Sequence, residues 1–372
     1  MEEKVKSFSL AGELSGALGD LGTFLPHVLG VITVAGLDPA GVFTMFGLFY
    51  IFTAAVYRLP VPVQPMKAAA AAIVVNKLAP GIVSGAGLTI GGILTLLGLT
   101  GLIEKITRVT PGFVVSGIQL YFGFSLMLLG LKMAAKEPLL GFGLLALLVF
   151  YFRIKNFPVA AAILVTGLLL QWIIGKGLSW PGMQLDFNLP GWIWPTWDQW
   201  LHGSWLVALP QLALTVTNAI ILTCVMAGEL YPDGGQRIKP CRLALTHGIG
   251  NLVAAPLGGI PMCHGSGGLA AHYRFGSRTF LTPALLGMLF LFFGLFLGES
   301  GAAILGMVPD FTLGVLLTTG GWELARNAKL PGELSELILA LVVAVICFVY
   351  NGAAGFVAGL VMAWVKKGIH IR

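Results

Sequence analysis

The chain has 372 residues, of which 57% are hydrophobic and 10% charged, and its mean hydropathy is +0.90. A soluble domain carries about 25% charged residues, so a water-soluble enzyme or nucleic-acid-binding domain is excluded. The net charge of +6 is spread over short loops, a pattern of membrane topology rather than of a nucleic-acid partner.

Apolar runs long enough to cross a bilayer as helices recur from end to end, which defines an all-α polytopic membrane protein. The polar start "MEEKVKSFSL" leads into a glycine-rich apolar run without a small-residue cleavage site, the mark of a retained first span. Seven segments are predicted in the first half, at 11–35, 40–57, 60–78, 82–103, 111–131, 138–152 and 157–174. A linker, 176–203, follows; its Trp180, Trp192, Trp194, Trp197 and Trp200 suit an interfacial stretch outside the cell. Seven more segments are predicted at 204–228, 240–257, 260–274, 279–298, 304–322, 334–350 and 352–366. The four cysteines, Cys224, Cys241, Cys263 and Cys347, form no CxxC pair, so neither a disulfide nor a metal site is expected, and no cofactor.

The third segment begins "LPVPVQPMKAAAAAIV". Prolines lack an N–H and clash with the preceding helical turn. Alternating Pro-Val-Pro-Val therefore reads as extended chain, with Pro65 in the first turn of a helix that the alanines propagate. Irregular backbone at membrane depth is tolerated where it is buried in protein or lines a cavity.

The two halves echo each other. Pro65-Met66 recurs as Pro261-Met262, Pro111 as Pro309, Asp20 as Asn218 and Trp172 as Trp364, each pair separated by 192 to 198 residues. A duplicated unit with an odd number of spans inserts in opposite orientations, the inverted repeat of secondary transporters. With both termini in the cytoplasm, Lys77, Lys132, Lys136 and Lys176 fall outside the cell. Of the 22 Lys and Arg residues, seventeen then fall inside and Lys67 lies within a span, as the positive-inside rule requires. Arg274 and Arg278 read as anchors of that topology, and His247 and His272 as structural.

In the tenth segment, "PLGGIPMCHGSGGLAAHYRFG", glycines precede Pro261 and a short helix. Inversion aims the N-termini of the two half-helices at each other near the midplane. Each presents unsatisfied N–H groups and a partial positive charge, and together they favour an anion. Lys67 adds a full charge, whose insertion at bilayer centre costs about 2.5–3.5 kcal/mol. The candidate substrate-binding residues are Lys67, Met66, Gln64, Thr23, Met262, Cys263, His264, Gly265, Ser266, Thr217 and Asn218. Asp20 and His264 are the candidates for carrying a coupled proton. Cys263 and His264 do not read as a nucleophile and its base, because neighbours on a helix project about 100° apart; no enzyme is expected.

Three stretches, "FSLAGELSGALGDLGTFLPHVLG" (8–30), "PVPVQPMKAAAAA" (60–72) and "GGIPMCHGSGGLAAHYRFGSRT" (258–279), resemble the molybdate transporter family, a sulfate-permease-like group. The resemblance implies the sulfate-permease/uracil-transporter fold, with broken half-helices in segments 3 and 10. It implies a core domain made of 1–109 and 204–303, and a gate domain made of 110–175 and 304–372. It also implies uptake of molybdate, or sulfate by kinship. Import across the cell membrane by alternating access is the leading expectation, and coupling to protons or sodium is expected because a dianion enters a negative cell against the potential. A homodimer is a further expectation. Sulfate, bicarbonate or a nucleobase as cargo on the same fold, or passive flow through a channel, are the competing expectations.

Overall fold

The computed structural model describes residues 9–106, 111–151, 153, 159–174, 185–232, 234–297, 300, 307–326, 328 and 330–369, except the side chains at 18–23, 105, 106, 160, 161, 217, 323 and 367–369. The first half runs α1 (Leu10–Thr33), α2 (Pro39–Tyr57), β1 (Gln64–Pro65), α3 (Lys67–Asn76), α4 (Pro80–Thr100), α5 (Gly112–Ala134), α6 (Pro138–Tyr151) and α7 (Val159–Ile173). The second half runs α8 (Trp197–Leu230), α9 (Pro240–Ala254), β2 (Met262–Cys263), α10 (Ser266–Phe275), α11 (Leu281–Phe296), α12 (Asp310–Arg326), α13 (Leu334–Val349) and α14 (Gly352–Ile369). Proline occupies the first turn of α2, α4 and α9, where its missing N–H is not needed. Among the described residues, α2, α4, α5 and α8 are long and apolar enough to cross a membrane.

Helices from one half pack on helices from the other, in pairs that exchange under the repeat. α2 lies against α11 and α4 against α9, while α5 and α12 pack on each other. At the α5–α12 crossing, a Cβ on Gly123 would meet the Gly321 carbonyl at 2.8 Å, and one on Gly321 would meet the Gly123 carbonyl at 2.6 Å. Only glycine permits that approach, which is how membrane helices gain dispersion contact in the absence of a hydrophobic driving force. Phe24 of α1 stacks on Phe290 of α11 and meets Phe46 of α2 edge-on, both at 4.7 Å. This aromatic cluster fixes α1 beside the inter-half pair.

Two boundaries differ from the sequence reading. The eighth segment starts at Trp197, seven residues before 204, because Thr196 and Gln199 form a reciprocal capping box. It is also wound more loosely over 204–208 and 215–222, where the turns are π-helical. The second difference is repeat register. The short helices begin at Lys67 and Ser266, a separation of 199 residues (67 to 266), rather than the 196 implied by matching Met66 to Met262. Met66 directly precedes Lys67, whereas Cys263, His264 and Gly265 stand between Met262 and the helix that starts at Ser266.

Candidate functional site

Both broken spans adopt the strand-then-helix form. β1 and β2 pair antiparallel, Gln64 opposite Cys263 and Pro65 opposite Met262, and the Met66 N–H donates to the Pro261 carbonyl at 2.9 Å. Proline suits this backbone because Pro60, Pro62 and Pro65 have no N–H to satisfy in a buried place. Their carbonyls still need donors, and the second span supplies them. His264 Nδ1 donates to the Pro62 carbonyl at 2.9 Å, and His272 Nδ1 donates to the Pro60 carbonyl at 2.7 Å.

The bridge is braced from behind by α9. Asn251 accepts from the Met262 N–H and donates to the Met262 carbonyl, both at 2.8 Å. The His264 N–H donates to His247 Nε2 at 2.7 Å, and His247 Nδ1 donates in turn to the Leu243 carbonyl. His264 Nε2 and the Thr246 hydroxyl are 2.9 Å apart, and that hydroxyl also meets the Tyr57 hydroxyl at 2.7 Å. Thr223 donates to the His264 carbonyl at 2.9 Å. His264 is thus fully buried, with every polar atom engaged by protein, and lies outside the cavity wall. Met66 and Met262 are likewise buried and outside the wall. These three were expected to touch substrate; the extended chain turns them toward the scaffold instead.

In front of the bridge lies a cavity of about 240 Å³. Of the expected residues, Gln64, Lys67, Asn218, Cys263, Gly265 and Ser266 line it. Asp20, Thr23 and Thr217 fall on side chains outside the described residues. The sequence reading missed Gln211 of α8 and Gln119 of α5, which also line the wall, and Leu324 of α12. Gln211 Oε1 accepts the N–H of Ala69, in the first turn of α3, at 2.9 Å, and its amide donates to Thr215 at 3.0 Å. A single glutamine inside an apolar stretch gives little signal by itself. What marks Gln211 is its neighbourhood, one turn before the π-helical stretch that carries Asn218.

The charge on the described lining of the cavity has one sign. α3 and α10 both open on it, and helix geometry leaves their first-turn N–H groups without intrahelical acceptors. Lys67, half-buried, brings its Nζ to 4.0 Å from where a Cβ on Gly267 would stand, so the ammonium sits over the N-terminus of the opposite helix. Among the described lining residues it is the sole charged side chain. An ammonium and two helix N-termini repel one another in a low-dielectric site, and an anion relieves that repulsion. Close approach is built in by glycine. A Cβ on Gly268 would come within 2.6 Å of Gln64 Nε2 and 2.8 Å of Pro62 Cβ. Among the described residues, no cluster of His, Cys, Asp or Glu could hold a metal ion.

A sequence profile of the family described as "Molybdate transporter of MFS superfamily" matches residues 12–126 and 203–324. Molybdate transporter 2 of Arabidopsis thaliana is 31% identical, with 96% of this chain and 88% of that protein covered. Molybdate transporter 1 of Chlamydomonas reinhardtii is 29% identical, covering 94% and 90%. Among solved structures, the transmembrane domain of the cyanobacterial bicarbonate transporter BicA superposes with a TM-score of 0.70 at 18% identity, covering 95% of this chain and 97% of that one. The murine anion transporter Slc26a9 in its inward-facing state gives 0.64 at 11% identity, covering 99% and 70%. These likenesses show the fold: two inverted halves with one broken span each. That plan differs from the two parallel six-helix halves of the major facilitator architecture named in the profile's description.

Proposed function

Because this chain belongs to the molybdate transporter family, we propose that it imports molybdate across the cell membrane, binding the dianion in the cavity between the two half-helices. The observation that carries this reading is the antiparallel bridge, which brings the start of α3, the start of α10 and Lys67 to one cavity wall. Gln64, Asn218 and Ser266 offer side-chain hydrogen bonds to the oxygens, and Cys263 and Gly265 set the width of the space. Sulfate has the same charge and tetrahedral shape, so it is the expected competitor.

The cavity also suits alternating access. Gln64, Lys67, Asn218 and Ser266 belong to the proposed core (1–109 and 204–303), whereas Gln119 and Leu324 belong to the proposed gate (110–175 and 304–372). A site shared in this way opens to either side when one domain slides on the other. Moving one charge through 100 mV is worth about 2.3 kcal/mol, so a dianion opposes about twice that on entering a negative cell. Coupling to protons supplies the difference. Asp20, carried by α1, a helix that packs on β1 and α10, is the proton carrier in this scheme, since His264 is committed to the bridge. Both termini face the cytoplasm in the orientation that the positive-inside rule selects.

The test is uptake of labelled molybdate by purified protein in liposomes, with and without an imposed pH gradient, challenged by sulfate. Saturable, gradient-stimulated uptake that Lys67→Ala abolishes is the expected result. Uptake or binding of molybdate unchanged in Lys67→Ala overturns the assigned site.

A further inference from the structure

A second basic cavity lies at the far end of α3. Lys77, Lys132 and Lys136 line one open depression of about 340 Å³ together with Thr33, Met133 and Asp310. They are three of the four basic residues that the topology puts on the outer face. The depression sits where α1, α3, α5 and α12 meet. Lys136 bonds Asp310 at 2.6 Å, and Asp310 is the sole acid among the described lining residues. One carboxylate against three ammonium groups leaves an excess of two positive charges.

Helix chemistry explains part of this. Lys77 caps α3 in a left-handed conformation (φ 49°), and a cation at a helix C-terminus is favourable. That argument accounts for one charge per helix end. Lys132 lies in the last turn of α5, and Lys136 lies in the turn just beyond it, where it pairs with Asp310. Nothing in helix stability asks them to converge with Lys77 on one cavity.

We propose that this depression is an outer capture site for the inorganic tetrahedral dianion, concentrating it before it reaches the central cavity; this rests on the transport reading above. The half-helix α3 links the two sites, its N-terminus at one and Lys77 at the other. Ten residues span about 15 Å along a helix. The Debye length is about 30 Å at 0.01 M salt and about 8 Å at 0.15 M, so the two sites feel each other's charge only at low salt. Clefts of one sign raise the rate of ion capture by about tenfold or more, an effect that salt removes.

The experiment compares initial rates of labelled molybdate uptake in liposomes for the wild type, K77Q/K132Q and the charge-retaining K77R/K132R. At about 0.01 M salt, the glutamine variant is expected to raise KM about five- to tenfold with kcat unchanged, and the arginine variant to match the wild type. At about 0.3 M salt the three should converge. Equal KM values for wild type and K77Q/K132Q at low salt overturn the capture site. That outcome leaves the transport reading standing, because the latter is tested by Lys67→Ala.

Discussion

In the span 60–77, Lys67 is followed by five buried alanines, whereas in the span 259–276 the helix opens on Ser266-Gly267-Gly268 and ends near His272. The backbones nevertheless correspond. Each has a two-residue strand, a ten-residue helix and a left-handed end, at Lys77 (φ 49°) and at Gly276 (φ 111°). Shape is duplicated and chemistry is divided. The first span contributes the charge and presents bare carbonyls; the second contributes the histidine donors and the glycines that let Gln64 lie close. An inverted repeat alone would make a symmetric site, and the divided chemistry makes this one asymmetric.

The sharpest way to break that comparison is to remove the charge from one side only. Losing one partner of a desolvated charge pair costs about 2–5 kcal/mol. Lys67→Ala should therefore weaken molybdate binding roughly 30-fold or more, while Ser266→Ala, which removes a neutral hydrogen bond worth about 1 kcal/mol, should weaken it about fivefold. Titration calorimetry on both variants decides, and equal losses would mean that the two half-helices contribute alike.

A reciprocal asymmetry is expected in stability. His264→Ala leaves the Pro62 carbonyl without its histidine donor, removes one of the Thr246 hydroxyl's partners and opens space beside Phe49 and Tyr57. Together these effects should cost about 2–4 kcal/mol, lowering the melting temperature by several degrees in detergent. Lys67→Ala should leave melting near the wild-type value. If His264→Ala melts normally but loses transport, the histidine belongs to the chemistry and not to the brace.

Asn218 tests the same division from the facing helix. Its repeat counterpart in the sequence is Asp20, an acid, and Asn218→Asp would place a carboxylate at the cavity wall. At neutral pH that carboxylate is ionised and repels a dianion, so affinity should fall about tenfold, or about 1.4 kcal/mol. Lowering the pH toward the carboxylate's own titration removes the charge and should restore binding. Affinity that stays low in acid would place the effect in packing rather than charge.

Much of this was legible in the sequence because prolines and a lysine inside an apolar run have few physical explanations. The break near Pro65, a helix after it and the placing of Lys67 at a shared cavity follow from that; Pro65 itself, expected in the first turn of the helix, belongs to β1, and the helix starts at Lys67. The side of the strand that each residue faces was not legible. Extended chain alternates its side chains, and a three-residue difference in register between the repeats moved His264 from the expected wall to the brace. Gln119 and Gln211 escaped for another reason. Each is one of a few scattered polar residues in a mostly apolar helix, and only the assembled fold shows that both reach one cavity.

A packing test separates neighbouring glycines of the second half-helix. Gly267→Ala adds a methyl whose nearest neighbour is Lys67 Nζ, 4.0 Å away, and improves helix propensity. Gly268→Ala drives the same methyl to 2.8 Å from Pro62 Cβ, an atom held in a ring that cannot swing aside. Overpacking of this kind costs about 1–3 kcal/mol, so Gly268→Ala should lower the melting temperature while Gly267→Ala holds or raises it slightly. The corresponding turn of α3 already carries Ala68 and Ala69, which are fully accommodated. If both glycine variants melt alike, the close seating of Gln64 and Pro62 on α10 is not what holds the two spans together, and the histidine donors must hold the bridge unaided.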